Sequence, residues 1–192
     1  MKYLYLDTET GGVNPTTDAL LTIGLVAHDD TRGILGTEHI LVQPEGRAVH
    51  VKALAVNHIN IEEHQKTALS REDAAVAMKR FCELHFGVGF KDAPYLVGHN
   101  IGFDRSFVDP LFTENHMRIP YSYRNLDTMG IALFLQDCGY FTLENMKLDS
   151  LVEHFNCEIA EKDRHTALGD ALVTRDVHLA MRELAQQSGL GL

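Results

Sequence analysis

The chain reads as an α/β protein in which a mixed sheet is flanked by helices. Apolar, partly β-branched runs at residues 2–9, 19–28 and 34–43 come first and lie close together. A shorter apolar run at 94–98 stands alone among segments of helical spacing. Strands first, then helices with a strand between them, indicate one mixed sheet packed by helices.

Taken in order, residues 2–9 form the first strand, and 19–28 and 34–43 the next two. The turn Asp29-Asp30-Thr-Arg-Gly33 makes the latter pair an antiparallel hairpin. Pro44 to His50 is a loop, and Val51 to Val56 a short helix ending near Asn57. Ser70 is placed to cap the next helix, with Asp73 three residues on and an apolar periodicity through Leu84. Pro94 to Gly98 is a short buried strand. Asn100 is placed to cap a helix over 102–115, with a kink or break expected at Pro110. Asp127 caps a helix over 128–137, and another runs from Asn145 or Leu148 to Phe155. The last extends from about Thr166 to Gln186, with Leu168, Leu172, Val173, Val177 and Leu179 as its apolar face. Residues 1–186 are expected to form one domain, with 187–192 a short frayed tail.

Composition narrows the function. The 192 residues are 45% hydrophobic and 23% charged, as in ordinary globular proteins. No apolar run approaches the ~20 residues of a membrane span, so no membrane partner is expected. Signal-peptide features are absent and Cys82, Cys138 and Cys157 are odd in number and widely spaced, which reads as reduced thiols in a cytoplasmic protein. A net charge of −10 argues against non-specific duplex binding through a basic surface. It leaves room for a nucleic-acid enzyme whose bound divalent ions reverse the local sign.

The most informative residues are Asp7 and Glu9, in Asp7-Thr-Glu9-Thr-Gly-Gly. Strand residues two apart share a face. Two like charges held together there repel unless a cation or a shared proton lies between them. A second acid, Asp104 in His99-Asn-Ile-Gly-Phe103-Asp104, falls where a short strand gives way to a helix. Open α/β sheets hold ligands near such edges, although an Asp in a first turn also simply complements the helix dipole. A third group is Arg164-His165-Thr-Ala-Leu-Gly-Asp170-Ala. Five residues on one helix span ~500°, leaving the pair about 140° apart. The spacing makes sense with His165 on the preceding loop, Thr166 as cap and Asp170 on the first turns. A loop His can move as a general base must, and a helix Asp is fixed as a ligand must be.

Together the three segments resemble the motifs of the DEDDh 3′–5′ exonucleases, which include proofreading subunits and ribonuclease T. Asn14-Pro15 with Asp18, Ala53-Leu-Ala-Val-Asn57-His58-Ile-Asn and Leu126-Asp127-Thr agree, so the resemblance covers about residues 3–180. Gly11 and Thr22 depart from the family's usual Thr and Glu, outside the five catalytic positions. The resemblance implies a ribonuclease H-like fold, with a mixed five-stranded sheet flanked by helices. It also implies hydrolysis of the 3′-terminal phosphodiester of DNA or RNA to nucleoside monophosphates, aided by two divalent cations, Mg²⁺ or Mn²⁺. Asp7 would bridge both ions, Glu9 and Asp170 hold the one on the nucleophile's side, and Asp104 support the other through water. His165 would take the proton. Thr10, Gly12, Val13, Asn57, His58 and Phe103 are the expected substrate contacts, with Val13 a wedge against the terminal base. Turn packing, helix capping and core packing are the structural alternatives for these six. Lys162, Arg164 and Arg105 flank the site as candidate phosphate contacts, with a solvated helix residue the alternative for Arg105, and the remaining histidines, His50 among them, read as surface or partner-satisfied. The implied partner is nucleic acid with a 3′ end, single-stranded by preference. A homodimer or a polymerase assembly would be compatible. The competing readings are a nuclease-like binding module without catalysis and a phosphoesterase of small molecules.

Overall fold

The computed structural model describes residues 1–159 and 165–187, the side chain of Phe90 excepted. Lys162, Arg164 and residues 188–192 lie outside the described residues. Strands β1 (Lys2–Thr10), β2 (Leu20–Asp29) and β3 (Gly33–Leu41) come first. Helices α1 (Val51–Asn57), α2 (Ile61–Thr67) and α3 (Arg71–Phe86) follow. Then come β4 (Tyr95–Gly98), α4 (Ile101–Glu114), β5 (Asn125–Asp127), α5 (Thr128–Asp137), α6 (Leu148–His154) and α7 (Ala167–Gln187). No described helix is long and apolar enough to cross a membrane.

The sheet order is β3-β2-β1-β4-β5. β1 pairs antiparallel with β2 and parallel with β4, so the expected mixed five-stranded sheet is present and β1 is its centre. Strand alternation divides β1 between two cores. Leu4 and Leu6 face α3 and α4, among Met78, Phe81, Phe107 and Leu111. Tyr3 and Tyr5 face Ala171, Leu168 and Leu172 of α7. Asp7 and Glu9 continue the Tyr3–Tyr5 row to the strand's end.

Helix ends follow local chemistry. Ser70 accepts the Asp73 N–H and Asp127 the Met129 N–H, as their spacing implied. Asn100 differs from expectation: its backbone is left-handed and its side chain makes no capping bond. Its N–H instead donates to Asp127 Oδ1 at 2.9 Å, tying the β4–α4 turn to the start of α5. Helix α4 runs through Pro110 without the expected break. The proline costs about 3 kcal/mol in a helix interior, and the buried Phe107, Val108, Leu111 and Phe112 around it offset that cost. The sequence reading missed α2, which Asn60 caps through the Glu62 and Glu63 amides.

The seat of α7 positions the site. At one end, Gly24 of β2 lies directly across from Asp7. A Cβ there would stand 2.1 Å from the Ala167 carbonyl oxygen, so only glycine lets the start of α7 reach the sheet this closely. Further along, the Tyr5 hydroxyl and His178 Nδ1 share a buried hydrogen bond of 2.8 Å. Arg175 Nε donates to His28 Nδ1 at 3.2 Å, and Arg182 forks onto Asp30 at 2.7 and 3.2 Å. The buried stripe of α7 thus contains Thr174 and His178 as well as Val173, Val177 and Met181, while Leu168, Leu172 and Leu179 are only half-buried.

Gly24→Ala should displace the start of α7 at a cost of about 1–3 kcal/mol, the usual range for overpacking. A lower urea midpoint with an unchanged m value is the expected result. An unchanged midpoint would mean that the close approach is not required.

Candidate active site

Three carboxylates meet at the end of β1. One ligand oxygen each from Asp7, Glu9 and Asp170 lie within 4.8 Å of one another. Asp7 and Glu9 share a face because they are two apart on a strand. Asp170 joins them from the first turn of α7, which Thr166 caps by accepting the Gly169 N–H at 3.1 Å. Asp104 approaches from the first turn of α4. It is 3% exposed, and its Oδ1 accepts the Thr8 hydroxyl at 2.7 Å. Thr8 points to the sheet face opposite Asp7 and Glu9, so a single three-residue stretch serves acids arriving from both sides.

The electrostatics match this crowding. Burial, then Asp104, Asp170 and Glu9 in turn, raise the Asp7 carboxyl well above the ordinary carboxylate range. Its residue surface is half-buried, yet the carboxylate is deep enough for burial to dominate. Glu9 is pushed up to about 8 by burial, then by Asp170 and Asp104. Burial raises Asp104 to about 7 against the opposing bond from Thr8. Such groups keep protons near neutral pH unless a cation replaces them. Hard oxygen donors gathered at this distance suit a hard divalent ion.

His165 lies on the turn into α7, exposed and with a left-handed backbone (φ 56°). It is thus off the helix that fixes Asp170, as the five-residue spacing required.

A cavity of about 480 Å³ opens beside the acids. Glu9 and five of the six expected substrate contacts line it: Thr10, Gly12, Val13, Asn57 and Phe103. Val13 is 82% exposed at the rim. Phe103 both lines the cavity and packs 5.1 Å from the Phe107 ring, so core and cleft share it. Asn57 is buried, and its Nδ2 donates to the Thr10 carbonyl at 3.2 Å, binding α1 to the end of β1. His58 is the exposed left-handed cap of α1 and is not part of the lining. Arg105 is paired with Asp109.

Six lining residues were not among the expected site residues: Thr8, Asp18, His50, Lys52, Ala53 and Val56. Helical phase was the available signal, since 52, 53 and 56 form one face of α1. His50 approaches Asp18 Oδ1 at 3.3 Å and is not a free surface residue. Asp18 also accepts from the Asn14 N–H and the Thr17 hydroxyl, which hold its carboxyl below the usual range. A Cβ on Gly12 would lie 2.1 Å from Asp18 Oδ2, so glycine lets this loop close.

The raised acids carry a sign for stability. Between the unfolded Glu value near 4.3 and about 8, folded Glu9 keeps a proton that the unfolded chain releases, so stability falls as pH rises. In EDTA, Glu9→Gln should therefore gain stability over the parent as pH rises from about 5 to 8. Saturating Mg²⁺ should shrink the gain. Urea midpoints measure it, and His178, buried and lowered to about 4, titrates alike in both proteins and cancels. A pH-independent difference would contradict the repulsive cluster.

Comparison with known proteins identifies the family and the fold. The RNase T family model, described as "Exonuclease", matches residues 4–177. The PolC-type DNA polymerase III of Thermotoga petrophila is 26% identical over 188 residues, covering 98% of this chain and 12% of that one. Ribonuclease T of Shewanella denitrificans is 28% identical over 179 residues, 90% of this chain and 76% of that one. The chain thus spans about an eighth of the polymerases it matches and three quarters of this ribonuclease T. Among solved structures, E. coli exonuclease I in complex with a dT13 oligonucleotide superposes with a TM-score of 0.77 at 20% identity, covering 98% of this chain and 42% of that one. At that identity the likeness is one of fold, and it is the expected ribonuclease H-like fold. With the family match extending over most of its length, the chain belongs to the RNase T exonuclease family, the DEDDh group that its three motifs resemble.

Proposed function

We propose that this chain is a metal-dependent 3′–5′ exonuclease that hydrolyses the 3′-terminal phosphodiester of DNA or RNA. The observation that carries the reading is the gathering of Asp7, Glu9 and Asp170 within 4.8 Å, beside buried Asp104 and a cleft of about 480 Å³. Two bound divalent cations, Mg²⁺ or Mn²⁺, would acidify water and neutralise charge on the scissile phosphate. Asp7, Glu9 and Asp170, with Asp104 beside them, are the residues that would hold them. The match to ribonuclease T and PolC-type relatives supports the same reaction class.

In the proposed reaction, a water oxygen bonds to phosphorus and the bond from phosphorus to the leaving 3′-oxygen breaks. A nucleoside monophosphate departs, and the freed 3′-oxygen takes up a proton from solvent to become the new 3′-hydroxyl of the shortened strand. His165 takes the proton of the attacking water. Its exposed place on a turn lets the ring swing over the acids, while Asp170 stays fixed on α7. Thr10, Gly12, Val13 and Phe103 line the space for the terminal nucleotide, His58 meets the strand as it leaves, and Asn57 holds α1 in place for both. The PolC-type relatives favour a second reading, in which the chain works beside a polymerase. Copurification of a polymerase with the tagged chain tests it.

Single-stranded DNA and RNA labelled at the 3′ or the 5′ end test the main proposal. With Mg²⁺ or Mn²⁺, 3′ label should appear at once as mononucleotide and 5′ label in a shortening ladder, and EDTA should stop both. Internal cuts or EDTA-insensitive cleavage would overturn it. His165→Ala should lower kcat by about 10²–10⁴-fold, the usual worth of a general base. Its Mn²⁺ affinity by calorimetry should stay at the parent's value, since an equal loss of affinity contradicts the base role. Asp7→Asn should lose both metal binding and turnover.

A further inference from the structure

Thr22 of β2 stands directly across from Glu9 of β1 in their antiparallel pairing. Residues opposed in this way share a face of the sheet, with Cβ atoms about 4.5–5.5 Å apart. The β2 residues on that face are Thr22, Gly24 and Val26, and they run beneath α7. Val26 lies among Tyr5 and Ala171, and the Ala167 carbonyl covers Gly24. Gly24 thus meets Asp7 with no side chain, and Thr22 meets Glu9 with a hydroxyl. The register shifts just beyond, between Glu9 and Thr10, so the regular ladder ends on this pair. Irregularities of this kind re-aim side chains beside active sites.

Thr22 is 4% exposed, and its Oγ1 has no hydrogen-bond partner among the described residues. A buried hydroxyl without a partner is costly and seldom left so. Thr8, one residue before Glu9, shows the satisfied case: its hydroxyl donates to Asp104 at 2.7 Å. An ionised carboxylate accepts through two oxygens, so a cation on one leaves the other free to accept an O–H. Carboxylates that ligate metals are themselves hydrogen-bonded, and the partner fixes their orientation. Glu9 has one more rotatable bond than Asp7 and so more freedom to lose on being held. We infer that Thr22 is a positioning residue of the metal site: its hydroxyl donates to the Glu9 carboxylate when that group binds a divalent cation, and so sets the ligand's orientation. Thr22 is a departure from the family's usual Glu. A hydroxyl there donates without adding negative charge to acids already crowded. This inference rests on the metal-dependent reading above.

Calorimetry with Mn²⁺ on the full chain tests it, counting the binding that Asp7→Asn abolishes. Thr22→Val removes the hydroxyl at nearly constant shape, and Thr22→Ser keeps it. Hydrogen-bond partners of metal ligands contribute about 10–100-fold to affinity. Thr22→Val should therefore bind Mn²⁺ about tenfold more weakly than the parent, at the low end of that range, and Thr22→Ser within about threefold of it. Affinity within about threefold of the parent in Thr22→Val overturns the inference. A comparable loss in both variants also overturns it, because packing and not the hydroxyl would then be responsible. Urea midpoints give a second readout. In EDTA, Thr22→Val should be at least as stable as the parent, since the hydroxyl it removes has no partner there. At one saturating Mn²⁺ concentration the variant should gain less stability than the parent, as its weaker binding requires. A lower midpoint in EDTA, or failure to fold, means that the hydroxyl already serves the fold and overturns the inference. A parent that binds Mn²⁺ but releases no mononucleotide removes the exonuclease reading alone. A parent that binds no Mn²⁺ removes the metal reading and the inference together.

Discussion

Mutual repulsion among carboxylates is the constraint on which this fold turns. Asp7, Glu9 and Asp170 converge within 4.8 Å, with Asp104 buried beside them. Left to themselves, these groups would separate or keep their protons; burial first raises Asp7, Glu9 and Asp104, and repulsion from the neighbouring acids of the cluster adds to it for Asp7 and Glu9. Each acid is therefore carried on an element anchored well away from the site. β1 is gripped by a strand on each side, α4 by the Phe107–Phe112 packing, and α7 by the Tyr5–His178 and Arg182–Asp30 bonds beyond its first two turns. The stability–activity trade-off expected of functional sites has a physical form here, with the far anchors offsetting strain at the near edge.

Two small features make the convergence possible. Gly24 across from Asp7 removes the side chain that would hold α7 off the sheet. Thr8 uses the pleat of β1: its neighbours' carboxylates face α7, while its own hydroxyl reaches Asp104 on the opposite side. A stretch of three residues, Asp7-Thr8-Glu9, thus gathers acids from both layers of helices. A strand with only antiparallel neighbours could not do this as easily. The parallel pairing of β1 with β4 brings the end of β4, and so the start of α4, to the same edge as Asp7.

How much of this was legible depended on the range of each interaction. The Asp7–Glu9 pair was readable because period two is a property of any strand. The turn position of His165 followed from five residues being incompatible with one helical face, and the caps at Ser70, Asp127 and Thr166 follow from local chemistry. Features that depend on distant residues were not readable. Helix α4 continues through Pro110 because of what packs around it, and no local rule reports that packing. The buried stripe of α7 takes in Thr174 and His178 because Tyr5 supplies a partner, although a hydropathy pattern places polar residues outside. β5, only three residues long, becomes a strand through its pairing with β4. Asn57 had the sequence signature of a strand-contacting residue, yet its amide is engaged with the Thr10 carbonyl.

The acid cluster also bears on the charge of the whole molecule. In an ordinary nucleic-acid binder a net charge of −10 would be a penalty, since affinity there rises with the number of phosphates neutralised. At this edge the sign is set locally. Divalent ions among Asp7, Glu9, Asp104 and Asp170 would convert a cluster that repels a phosphodiester into one that attracts it. The attraction would be confined to the few ångströms around the ions, because exposed charges are screened beyond about 8–10 Å at physiological salt. The more negative the remaining surface, the more sharply such a site distinguishes a strand's end from its interior. An acidic nuclease domain is therefore not a contradiction: the same carboxylates that make the metal-free edge repulsive would, once neutralised, mark the one point on the surface where a phosphate is welcome.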